Sequence, residues 1–443
     1  MKKFAKRTLW ICMAVLIFML SACDQAPSDR EETTTAPPVI PNKGDEFSFV
    51  LNEDGVSYTA HHDWVDDTTV IVPSSYKGLP VTRIAGSREL SWILSGEVSI
   101  TIPSTVVEIT SDFLGAFQKI GSITLLGENP AYHMSGSCLI ETESQTLLRA
   151  WGDGTIPVDG SVKRIKECAF FWNEDIESVH IPASVTEIDK RAFVGIPSLK
   201  TITCDGENPV YRVLDNCLID TRTGTLVKGC SSSVIPSDGS VTRIGHNAFL
   251  HCYGLERVII PDCVTEIDES AFSYCTGLTE LVIGENVTSI GDSAFFQCES
   301  LTSVTIPDSV QTIGTSAFYL CTSLKSITLG TGLKRIGNIA FSHCSALESL
   351  TFSEGIEEIS SSMLSDCTML KWVVIPKSVV TVRHGVGDDE GGYSVYYAGS
   401  ESEWSQIAAQ STSGIMKANR YYYSETPAAS GWHYDENGTP VRW

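Results

Sequence analysis

The dipeptide Ala-Phe stands at Ala248-Phe249, Ala271-Phe272, Ala294-Phe295, Ala317-Phe318 and Ala340-Phe341, once every 23 residues. Met363-Leu364 carries the register on in degraded form, and Ala169-Phe170 and Ala192-Phe193 are another pair at the same spacing. Self-similarity at a fixed short period means a stack of small units, none of which buries its own apolar face alone. In the unit Val287 to Ser309 the inward set is Val287, Ile290, Ala294, Phe295, Cys298, Leu301, Val304 and Ile306. Burying that set returns less free energy than ordering the unit costs, so stacked neighbours must supply the rest. The tail Leu301-x-x-Val304-x-Ile306 alternates like a strand, and a turn led by Pro307 follows. The same tail stands at Leu255/Val258/Ile260, Leu278/Leu281/Ile283, Leu324/Ile327/Leu329, Leu347/Leu350/Phe352 and Leu370/Val373/Ile375.

One LxxLxL strand per repeat is a leucine-rich-repeat signature. It predicts a β-rich solenoid of stacked right-handed coils with parallel strands. Gly291 and its matching sites Gly245, Asp268, Gly314 and Gly337 are expected to turn a corner at positive φ. Counting the Ile/Val site before each turn, from Ile84 to Val382, gives eleven coils. At about 4.8 Å per stacked strand they would extend roughly 50 Å. Two long gaps, each 56 residues, match each other at an offset of 79. Gly127-Glu128-Asn129-Pro130-Ala131-Tyr132 answers Gly206-Glu207-Asn208-Pro209-Val210-Tyr211, and Cys138-Leu139-Ile140 answers Cys217-Leu218-Ile219. Thr146-Leu147-Leu148 likewise answers Thr225-Leu226-Val227, and in each gap the paired CLI and TLL/TLV strands read as a β-hairpin inserted beside the coils.

The first 22 residues read as an export signal. Lys2, Lys3, Lys6 and Arg7 precede a 12-residue apolar run, Leu9 to Leu20, too short to span a bilayer comfortably. Leu20-Ser21-Ala22-Cys23 then looks like a lipobox, with Cys23 as the lipidated residue. Residues 23–43 hold Pro27, Pro37, Pro38 and Pro41 with no hydrophobic period and read as a tether. The remaining divisions are an N-terminal cap (44–83), the solenoid (84–384) and a C-terminal cap (385–443).

Charge and chemistry narrow the function. The chain carries 31 basic against 54 acidic residues, which excludes an electrostatic nucleic-acid binder. Neither GxSxG, Walker A nor HExxH occurs, so an enzyme is not expected, and neither is a cofactor. Asp388-Asp389-Glu390, in a glycine-rich loop, is read as solvated rather than as a metal site. Six of the 14 cysteines recur once per coil, as Cys252, Cys275, Cys298, Cys321, Cys344 and Cys367, and no CxxC pair occurs. They read as a buried structural ladder, with Asn173 and Ile196 at the same site of other coils.

The Ile-Gly-x-x-Ala-Phe-x-x-Cys-x-x-Leu-x-x-Val-x-Ile-Pro pattern resembles the BspA-like leucine-rich-repeat family of bacterial surface proteins, over roughly Val70 to Trp443. Val72-Pro73 through Thr82-Arg83-Ile84 looks like that family's first repeat. Arg88-Glu89 and Phe113-Leu114 depart from the pattern, since Ala-Phe is missing there. Tyr396-Tyr397-Ala398-Gly399, Tyr421 to Tyr423 and Gly431-Trp432-His433-Tyr434 look like its C-terminal cap. The resemblance implies adhesion at the cell surface. The expected partners are an extracellular protein or glycan, with the membrane reached through the lipid on Cys23. The candidate binding face is the outward side of the strands, Ser303, Thr305, Ser326, Thr328, Ser349, Thr351 and Trp372. Carbohydrate or cell-wall binding through the aromatic C-terminal cap is the alternative. Trp372 suits either an anchor or a residue covered by that cap.

Overall fold

A computed structural model of the chain describes residues 47–62, 68–86, 94–384, 392–409, 414–436 and 438–443. The export signal, Cys23, the tether, Arg88-Glu89 and the Gly385 to Glu390 loop lie outside the described residues. The chain divides into two compact units, 1–143 and 144–443.

The first unit opens with an antiparallel pair, Phe47–Leu51 on Tyr58–His62. Leu79–Ala85 joins in parallel, and Glu108–Ile109 pairs with Arg83 and Ile84. A second parallel set is Thr69–Ile71, Leu94–Pro103 and Phe117–Leu126. Phe113 and Leu114, which replace Ala-Phe here, sit buried on the short helix Ser111–Gly115. The Phe113 ring meets Phe117 edge-on at 5.3 Å. In the first insertion Tyr132–Ser135, a strand ahead of the two that the sequence pointed to, pairs antiparallel with Cys138–Glu141.

The second unit is a solenoid with a 23-residue step. The eight inward residues of the Val287 unit are all buried. Neighbouring coils bond on up to three sides, the long strands pairing two by two along the middle of the array. Ser289 and Ile290 pair in parallel with Thr312 and Ile313. Ser303, Val304 and Thr305 pair with Ser326, Ile327 and Thr328. On the turn side the backbone N–H groups of Ser293, Phe295 and Gln297 donate to the carbonyls of Thr315, Ala317 and Tyr319 at 2.7–2.8 Å. The chain's polar backbone is thereby satisfied coil to coil, with the apolar set left inside. Down the axis the rings of Phe272, Phe295 and Phe318 stack at 5.2 Å centroid to centroid.

The corner is built differently from the sequence expectation. The left-handed residues are those before Ala-Phe and before the ladder cysteine, such as Ser293 (φ 53°) and Gln297 (φ 57°), or Ser316 (φ 56°) and Leu320 (φ 61°). None of Gly245, Gly291, Gly314 and Gly337 is among the positive-φ residues. Their role is close approach. A Cβ on Gly291 would lie 2.6 Å from the Asp268 carbonyl carbon, and one on Gly314 would lie 2.4 Å from the Asp292 amide nitrogen.

The ladder thiols donate to the coil behind. The Sγ atoms of Cys298, Cys321 and Cys344 lie 3.2–3.3 Å from the carbonyls of Phe272, Phe295 and Phe318. The twelve described cysteines are free thiols. At the same site Asn173 does this work with its amide, donating to the Gly152 carbonyl at 3.1 Å.

The offset of 79 also has a physical basis. Asn208 donates to the Pro182 and Val185 carbonyls and accepts from the Val210 and Tyr211 amides. Asn129 makes the same four bonds to Pro103, Val106, Ala131 and Tyr132. The second hairpin, Cys217–Asp220 against Thr225–Lys228, does not merely lie beside the coils. Its Thr225 and Leu226 pair in parallel with Arg243 and Ile244, so one hairpin strand belongs to the ladder.

The C-terminal segment also continues the ladders. Ser394–Tyr397 pairs in parallel with Trp372–Ile375, and Asn419–Tyr423 pairs with Ser394–Tyr397. Ala408–Ala409 extends the row of Thr381–Val382, a coil that the count of eleven misses. Val395, Tyr397, Trp404, Ile407 and Ile415 complete the main core. A chain cut near Val382 would lose them, so point substitutions are the sound probe of this region.

Candidate functional site

Strand alternation decides which residues can meet a ligand. In Ser303-Val304-Thr305 the Val points inward and the two hydroxyl residues outward. The pattern repeats in Ser326-Ile327-Thr328 and Ser349-Leu350-Thr351, with only Ser349 half-buried. The parallel register aligns Ser303 with Ser326 and Thr305 with Thr328, so the rows run straight across neighbouring coils. Ser349 likewise aligns with Trp372, and Thr351 with Val374. No charged side chain interrupts these six positions, although the chain's formal charge is −23.

Charge returns on either side. Arg257 and Glu280, two outward positions ahead of Ser303, are ion-paired at 2.9 Å, beside exposed Ile259 and Val282. At the edge of the face Lys371 binds Glu348 at 2.6 Å, which holds the Glu348 carboxyl below its usual range. Both pairs are exposed, so each adds little to stability. They join one coil to the next and leave the hydroxyl rows neutral.

Beyond Thr351 the face turns aromatic. Trp372 is half-buried, with its ring edge-on to Tyr396 at 6.3 Å. Tyr396 stacks on Tyr421 at 5.5 Å. Trp432 is wholly buried beneath Tyr396, Tyr423 and Tyr434, and its indole donates to the Tyr397 carbonyl at 2.8 Å. Arg442 donates to the Tyr421 hydroxyl at 2.6 Å and lies over its ring. Val374, Tyr396 and Trp432 form a small apolar cluster separate from the main core, on the outer side of the sheet. Trp372 packs against this cluster, yet part of it stays open to solvent.

The sequence placed Tyr396, Tyr421 and Tyr423 in a separate cap and missed that they share the sheet of Ser349 and Thr351. The available signal was the alternation Ser394-Val395-Tyr396, which copies Ser349-Leu350-Thr351 in period, whereas Asn419-Arg420-Tyr421 carries a charged residue at the inward site and gives no such signal. Among the described residues no group of three or more His, Cys, Asp or Glu could hold a metal ion. None of the described helices is long and apolar enough to cross a membrane.

A family model described as the BspA type leucine rich repeat region matches the chain in six copies, over residues 154–222, 226–319 and 265–386. Among solved structures, a leucine-rich repeat protein from Eubacterium ventriosum is similar with a TM-score of 0.50 at 18% identity, covering 89% of this chain and 97% of its own. A leucine rich cell surface protein from Faecalibacterium prausnitzii gives 0.45 at 22% identity, over 85% and 99% of the two chains. At these identities the likeness concerns the fold alone. A search of the curated proteins finds no match.

Proposed function

We propose, on the premise that this chain belongs to the BspA type leucine-rich-repeat family, that it is a lipid-anchored binding protein of the bacterial cell surface, adhesin-like and without catalysis. The observation that supports this is the uncharged outward face from Ser303 to Thr351, held on a scaffold whose neighbouring coils bond on up to three sides. A surface ordered in advance loses little entropy when a ligand settles on it. The ligand is an extracellular protein or glycan lying across several coils. Carbohydrate or cell-wall binding through the aromatic segment is the second reading. It is favoured by Tyr423 and Tyr434, which are exposed on the same sheet.

Replacing Thr305, Thr328 and Thr351 together by Lys is expected to abolish binding of whole-cell or matrix ligands, while each single change has little effect. Salt should alter wild-type binding only weakly, because the rows carry no charge. A steep salt dependence with the triple variant still binding would move the site to the acidic surface and end this reading.

The anchor is tested separately. Cys23→Ala should release the protein from the membrane fraction into the medium. A variant that still partitions into detergent and stays with the cells would remove the lipid from the proposal.

A further inference from the structure

We propose that the ligand of this face is a linear, uncharged polysaccharide, lying across the strands with one end stacked on the aromatic rings. This inference rests on the reading of the outward strand face as the binding surface. Four observations lead to it.

The first is the aromatic end. Tyr423 and Tyr434 are 41% and 45% exposed, and Trp372 and Tyr421 are half-buried around the buried Trp432. Each ring is fixed by another: Tyr423 and Tyr434 stand edge-on to Trp432 at 5.4 and 4.9 Å. A pyranose presents an apolar C–H face to such a ring and hydroxyls around its edge. The exposed tyrosines offer the matching pair, an apolar ring and a polar tip.

The second is translational repetition. From Ser303–Thr305 to Asn419–Tyr423 the face comprises six strands, each stepping by about 4.8 Å. Equivalent hydroxyls return at each of the first three. A polymer with a repeating unit meets the same groups at every step, which a folded protein does not.

The third is what the hydroxyl rows lack. The outward positions Ser303, Thr305, Ser326, Thr328, Ser349 and Thr351 include no aromatic, Met or Arg, the residue types on which protein interfaces centre. The fourth is charge. A chain of net charge −23 repels a polyanion, whereas a neutral glycan pays no such penalty.

The test uses the full-length chain. Its binding to linear uncharged polysaccharides (glucans, mannan, xylan and galactan) and to a polyanionic glycan, polygalacturonate, is measured by affinity electrophoresis. Oligosaccharides of rising length from the best binder then follow by calorimetry. At least one neutral glycan should bind, with affinity rising with length until the oligosaccharide spans the face. Tyr423→Ala should weaken binding roughly tenfold, while Tyr423→Phe, which keeps the ring, should retain most of it. Unchanged circular dichroism and melting separate loss of contact from loss of fold.

If no neutral glycan binds but a protein ligand does, and the triple Thr→Lys variant abolishes it, the glycan is wrong and the face stands. Tighter binding to polygalacturonate would also overturn the inference. If a neutral glycan binds the Tyr423→Ala and triple Thr→Lys variants as well as wild type, the inference and the reading beneath it both fall.

Discussion

Above about pH 9 the folded chain should lose stability steeply, and the thiol ladder is the main cause. Burial pushes the ladder thiol Cys252 up to about 11 and Cys321 up to about 12, and does the same to Cys217, on the second hairpin outside the ladder, at about 12. Cys275, Cys298 and Cys344 are raised well above the ordinary value of 9.0. The unfolded chain therefore releases these protons first. Between pH 9 and the raised folded values the native state holds more protons than the unfolded one, so stability falls as pH rises. Each such thiol contributes about 1.4 kcal/mol per pH unit. Tyr132 and Tyr211, both raised to about 12 by burial, act in the same direction from about pH 10. Lys228 acts the other way. Burial lowers its pKa, so its own contribution rises with pH up to the unfolded value of 10.5. The Arg149 guanidinium, lowered to about 10 by burial, acts with it from that pH, but two buried cations do not offset six thiols.

Urea unfolding at stepped pH reads the effect as a falling midpoint, and Cys298→Ala with Cys321→Ala should flatten the slope. The same burial should leave the ladder thiols unreactive to alkylation at pH 8 until the chain is denatured. A midpoint constant to pH 10.5, or thiols that react in the folded state, would contradict this picture of the core.

Phe295→Ala should cost about 3–5 kcal/mol, the range for removing a buried aromatic side chain without refilling its space. Its ring is fully buried and stacked face to face between Phe272 and Phe318, each 5.2 Å away. Those neighbours are held by their own coils and cannot close the gap. The loss should not stay local. Each coil is stable only through its neighbours, so a weakened coil in the middle of the array uncouples the two halves. Hydrogen exchange should show faster opening in the coils around residues 272–341 than in those near residues 170–193. Phe295→Leu, which restores most of the volume, should recover much of the stability. A loss under about 1 kcal/mol would mean that the ring stack is packing without consequence.

Much of this was legible in the sequence because the information is periodic. The 23-residue step fixed the inward set, and all eight residues of the Val287 unit are buried. The Asn-Pro-x-Tyr pair at offset 79 marked the insertions correctly, although their last strand proved part of the ladder. The corner was misread for a reason. Ser293, Gln297 and Leu320 adopt positive φ under the pull of backbone bonds to the next coil, and their side chains do not announce it. Glycine did announce itself, but Gly291 and Gly314 answer a need for space, not for φ. The C-terminal strands were hidden because their spacing departs from 23. Ser394 aligns with Trp372 at an offset of 22 and Asn419 with Ser394 at 25, so a fixed-period count passes over them.

The central claim is that the outward strand face, and no other side of the solenoid, meets the ligand. The buried ladder permits a direct measurement once the half-buried Cys168, Cys204 and Cys263 are replaced by Ser, since a thiol placed on the surface is then expected to be the reactive one. Thr328→Cys puts a label in the middle of the hydroxyl rows, and Lys334→Cys puts one on an exposed position ahead of the other strand row, Arg335–Ile336. A bulky maleimide at residue 328 should block binding of the extracellular ligand, while the same label at residue 334 should leave it intact. Unimpaired binding by the chain labelled at 328, with loss in the one labelled at 334, would place the ligand on a different side and contradict the claim.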